Sequence, residues 1–115
     1  MSKIWLDERK LSSWAKNYCI NKKDDPEIRK YITNCFDYTG YLCSLNKEDP
    51  YFIENISKMG PSEFVRSDLA DKYCRKIKDD SNIREYITRP VDAKWYCDKV
   101  RNDIPWLRKL SEKCS

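Results

Sequence analysis

Histidine is absent from this chain, and glycine occurs only twice. Without imidazole there is no Ser–His or Cys–His pair to activate a nucleophile and no histidine ligand for zinc. Two glycines cannot build a glycine-rich phosphate loop, and their scarcity disfavours a turn-rich β fold. No apolar run reaches the length of a membrane span, and residues 1–9 lack the apolar segment of a secretory leader. No two cysteines stand closer than eight residues, so the C-x-x-C pairs of a zinc site are missing too. These absences predict a soluble, cytoplasmic, non-enzymatic protein without metal or cofactor.

What is present is a globular composition: 115 residues, 37% charged and 40% hydrophobic, with 15 aromatic side chains. That length fits a single domain, 1–115, able to bury roughly two-thirds of its unfolded surface. Abundant Lys, Glu and Asp with little Gly favours helix. The formal net charge of +4 is too mild to demand a polyanionic partner.

An internal repeat dominates the sequence. A Cys is followed six residues later by an Asp at Cys19–Asp25, Cys43–Asp49, Cys74–Asp80 and Cys97–Asp103, with 24, 31 and 23 residues between successive Asp positions. After each Asp an apolar pair recurs at i, i+4 (Ile28/Ile32, Phe52/Ile56, Ile83/Ile87, Trp106/Leu110), the mark of a short helix B. Before each Asp runs a longer helix A; in the third unit its stripe is Leu69, Ala70, Tyr73, Cys74 and Ile77, with small residues where helices would cross closely. Pro61-Ser62-Glu63 predicts an early start for that third helix A. The pattern predicts an all-α fold, a small HEAT-like solenoid of four stacked helix pairs at about 14–37, 38–60, 61–91 and 92–115, with residues 1–13 as a cap.

The stretch from Ile87 to Val100, with Ala93, Trp95, Tyr96, Cys97 and Val100 in helical spacing, resembles short α-helical repeats of bacteriophage and giant-virus proteins. The 24-residue period and the Asp25-Pro26-Glu27-Ile28-Arg29 start are also similar to HEAT-like and leucine-rich-variant repeats, so that the resemblance spans residues 14 to 114. It implies a helical-repeat scaffold of viral origin that binds proteins. Where the viral repeats carry Ala after the Tyr, this chain has Cys, and it lacks the cysteine cluster that would bring an iron–sulfur centre.

Each repeated column has a candidate role. The Asp column fits helix capping better than catalytic or calcium-binding carboxylates. The cysteines fit packing as free thiols, since equivalent positions in stacked helices lie about 8–10 Å apart and a disulfide needs Cα atoms within about 7 Å. Lys23, Lys47, Lys78 and Arg101 form a ladder that could meet nucleic-acid phosphates, or simply complement helix C-termini. Apolar residues that depart from their columns, Tyr41, Leu45, Tyr51, Ile53, Trp95 and Leu107, are the candidate protein-binding residues. The function expected is a protein-binding module that docks on a host protein and inhibits or modulates it, with a homodimer through the last repeat as a further possibility. A nucleic-acid binder using the Lys/Arg ladder is the alternative.

Overall fold

The computed structural model describes residues 8–114, which contain eight helices and no strand. Long and short helices alternate: α1 (Glu8–Asn21), α2 (Pro26–Arg29), α3 (Cys35–Leu45), α4 (Phe52–Lys58), α5 (Glu63–Lys76), α6 (Ser81–Arg84), α7 (Pro90–Lys99) and α8 (Pro105–Ser111). All four expected A/B pairs are present. The first seven positions of the expected 1–13 cap lie outside the described residues, and from Glu8 the chain is already helix A rather than a separate cap. The extended start of α5 is real, with the Ser62 hydroxyl accepting from Val65 N–H, though α1 is equally long at 14 residues.

Local chemistry sets the boundaries. Asp25 and Asp80 accept from Glu27 and Asn82 N–H at the starts of α2 and α6, and Asn34 accepts from Phe36 and Asp37 N–H at the start of α3. Pro26, Pro90 and Pro105 occupy first-turn positions, where a missing N–H costs nothing. Asn46 (φ 51°) ends α3 in the left-handed conformation, and Gly60 (φ 79°) turns the chain from α4 towards α5. Asp103 is a correction to the capping column. Its carboxylate is held by Arg101 in two bonds of 2.6 and 2.8 Å, and Ile104 stands at the N-cap of α8.

The chain divides after Lys47 into two compact units. In the first, α1 packs on α2 and α3 around Ala15, Cys19, Ile32, Tyr41 and Leu42. In the second, α5 packs on α4, α6 and α7, and α7 on α8, around Phe52, Leu69, Tyr73, Ile87, Tyr96 and Leu107. Fully buried Ala15, Ala70 and Ala93 lie on the long helices that pack together, as the small residues of the A stripe predict.

The structure also exposes a longer repeat. Residues 12–41 and 67–96 align with an offset of 55, and 14 of the 30 positions are identical. The alignment is one of bonds as well as letters. Buried Ser12 accepts from the N–H groups of Thr33 and Asn34, and buried Ser67 from those of Thr88 and Arg89. Cys19 and Cys74 each donate to the carbonyl of the Asp six residues on, at 3.9 and 3.8 Å. This contact accounts for the Cys–Asp spacing in those two pairs: the thiol ties the inner face of a long helix to the start of the next short one.

Candidate functional site

Two equivalent polar clusters sit in the two units. In the first, the Tyr41 hydroxyl donates to Asp24 at 2.6 Å, while Lys47 and Arg29 pair with the same carboxylate. In the second, the Tyr96 hydroxyl donates to Asp79 at 2.7 Å, Arg84 pairs with it at 2.9 Å, and Arg101 approaches at 3.9 Å. Burial pushes the Asp24 carboxyl up, but the bonds from Lys47 and Tyr41 with the charge of Arg29 outweigh it and hold the group below its ordinary value. Burial, then the bond to Asp79, pushes the Tyr96 hydroxyl up. These clusters join helix A of one repeat to the turn of the preceding one, each through one carboxylate shared by two cations.

This geometry rearranges the residues singled out from sequence. Tyr41 is a core residue, 1% exposed, and its counterpart is Tyr96. Aligning Cys43 with Cys97 shifts the register by one residue and makes Tyr41 look misplaced. Ile53 and Leu107 are buried as well, so neither can face a partner, and Leu107 supplies no exposed surface for a homodimer. Leu45 is half-buried, whereas Tyr51 (66%) and Trp95 (49%) are exposed. Phe64 (67% exposed), which carried no signal as an isolated aromatic in a polar helix start, joins them.

The cationic ladder is largely spent within the protein. Lys47 is bound to Asp24, Lys78 to Glu48 at 3.1 Å, and Arg101 to Asp103; Lys23 is exposed. Arg101 raises no open field, since its bonds hold Asp103 at about 2, well below the carboxylate range. None of the six cysteines is in a disulfide. Burial lifts the Cys74 thiol to about 12, which keeps it a protonated packing group at neutral pH.

Of the 16 aligned positions that differ between the two units, one group meets on a single face. In the first, Lys16 on α1 reaches Asp37 on α3 at 3.6 Å, its stem lying against Gly40. At the corresponding positions of the second unit stand Asp71, Asp92 and Trp95. Two further exchanges accompany them, Ile20 to Arg75 and Asn34 to Arg89. The result is an open cleft of about 330 Å³ between α5 and α7, lined on α5 by Asp68, Asp71, Lys72, Arg75 and Lys76 and on α7 by Val91, Asp92 and Trp95, with Arg89 just before α7.

Asp92, 2% exposed, is satisfied: it accepts from Ser67 Oγ at 2.8 Å and from Arg89 Nε at 2.7 Å and Nη2 at 3.0 Å. Asp71, 1% exposed, accepts from Arg75 Nε at 2.9 Å through Oδ2, while its buried Oδ1 has no hydrogen-bond partner among the described residues. Burial, reinforced by the charges of Asp92 and Asp68, raises the Asp71 carboxyl to about 7 against the pull of Arg75. The Arg75 guanidinium lies 5.4 Å over the Trp95 ring. No protein-family model, curated protein or solved structure matches this chain. Among the described residues no group of three or more acidic or cysteine side chains is placed to hold a metal ion, and no helix is long and apolar enough to cross a membrane.

Proposed function

We propose that the protein is a non-enzymatic binding module for another protein, with the α5/α7 face of the second unit as its docking site. One observation carries this reading. Ser12 and Ser67, Asp24 and Asp79, and Tyr41 and Tyr96 keep both their residues and their bonds, whereas the differences at Asp71, Arg75, Arg89 and Trp95 converge on a single cleft. In helical-repeat scaffolds, framework columns stay fixed while binding positions vary. An exposed Trp beside arginines is the side-chain mix that anchors protein interfaces. The resemblance to viral helical repeats supports a stacked-repeat scaffold and a host protein as its partner.

The phosphate-binding alternative is weaker, because Lys47, Lys78 and Arg101 already neutralise carboxylates of their own chain. A photo-cross-linking residue at position 95, compared with one at exposed Lys30 in the first unit, tests the docking face in cells that express the protein. A discrete protein adduct from position 95 alone is the expected result. Equal or absent adducts from both positions would refute it.

A further inference from the structure

One packing junction in the second unit has both of its halves repeated elsewhere in the chain, and there each half is open. Helix α4 packs on α5 with the Phe52 ring 4.7 Å from that of Tyr73, and Phe52 and Ile56 on α4 are buried, as are Leu69 and Tyr73 on α5. The 55-residue repeat places Trp14 and Tyr18 of α1 where α5 has Leu69 and Tyr73. Trp14 is 46% exposed and Tyr18 half-buried, with their rings 5.5 Å apart. The i, i+4 pair after each repeat Asp places Trp106 and Leu110 of α8 where α4 has Phe52 and Ile56. Trp106 is 44% exposed and Leu110 half-buried, and with Ile87 and Thr88 they line an open cleft of about 350 Å³.

We infer that the protein associates head to tail with a second copy of itself, the Trp106/Leu110 face of α8 seating on the Trp14/Tyr18 face of the neighbour's α1 as α4 seats on α5 within one chain. The internal junction argues for this occupant. The two open faces are the counterparts of surfaces that already pack on one another, so each presents the residue types that the other's counterpart covers. Such a contact uses a different surface on each copy and leaves one of each kind unused at the ends. It therefore propagates into a chain or closes into a ring instead of stopping at a pair. The ion pair of the internal junction is not carried over. Lys78 meets Glu48 at 3.1 Å just before α4, whereas their counterparts are Lys23 and the neutral Asn102. Burial of aromatic and aliphatic side chains supplies the contact, which should withstand salt. None of these residues lines the α5/α7 cleft, so the inference stands apart from the docking face, and an array would display that face in several copies.

Sedimentation equilibrium of the full chain between about 10 μM and about 1 mM should show an average mass that rises with concentration past that of two chains, at low and high salt alike. Trp14→Lys and Trp106→Lys should each remain a single chain, because each lacks one of the two faces. Mixed in equal amounts, they should form a dimer and nothing larger: the intact α8 of the first meets the intact α1 of the second, and the other two faces are blocked. Helical circular dichroism checks that both variants fold, and Trp14→Ala or Trp106→Ala replaces a lysine variant that does not. A wild-type chain that stays single at the top of the concentration range would overturn the inference. If it then associates once residues 1–7 are removed, that segment is the occupant of the α1 face in place of a second copy. Association that survives in either variant would overturn the inference as well. So would a mixture that stays monomeric, by showing that a wild-type assembly pairs each face with its own kind.

Discussion

A single serine hydroxyl holds the turn between repeats in each unit. Ser12 and Ser67 are fully buried, and each accepts from two consecutive backbone N–H groups that have left one helix and not yet entered the next. Ser12→Ala and Ser67→Ala should each destabilise the protein by about 1–3 kcal/mol in urea unfolding, because the substitution strands buried donors. At Asp71 the predicted effect depends on pH. Its folded carboxyl titrates at about 7, above the unfolded value, so between roughly pH 4 and 7 the folded state holds the extra proton. Stability should therefore fall as pH rises through that window, by up to ~1.4 kcal/mol per unit, and reach its full penalty above it. Asp71→Asn should flatten the slope; an unchanged slope in urea unfolding across the window would show that Asp71 is not its source.

At the scale of the element, neighbouring residues of one column take different parts. Asp80 caps α6 through Asn82 N–H, so Asp80→Ala should cost about 0.5–2 kcal/mol and Asp80→Asn much less. Asp103 stands in the same column but is bound to Arg101, outside α8, and Asp103→Ala should leave thermal unfolding almost unchanged. Paired melts of the two variants check the distinction directly, and equal losses would contradict it. Helix α8 makes a second case. Leu107 is fully buried on it, so Leu107→Glu should unfold the second unit, seen as loss of helical circular dichroism, rather than yield a folded monomer.

For the whole molecule, the duplication makes an energetic prediction. Tyr41→Phe and Tyr96→Phe each remove one hydroxyl bond to an equivalent carboxylate, and each should cost about 0.5–1.5 kcal/mol. Unequal losses beyond that range in denaturant titrations would mean that the two clusters share a geometry without sharing a role. The amino-acid sequence by itself determined the alternation of long and short helices, because capping residues, first-turn prolines and i, i+4 stripes act over a few residues at a time. It also determined the small residues buried where long helices pack, and the freedom of the cysteines from disulfides. Tertiary structure decided what depends on distant residues. Tyr41 finds Asp24 across 17 positions, which fixes its burial and the 55-residue register that the Cys–Asp spacing obscured. Lys47 and Lys78 read as a free ladder until Asp24 and Glu48, distant in sequence, are brought to them. The unpaired oxygen of Asp71 is a property of burial between two helices, and no local pattern marks one aspartate among its neighbours as the one denied both water and a donor.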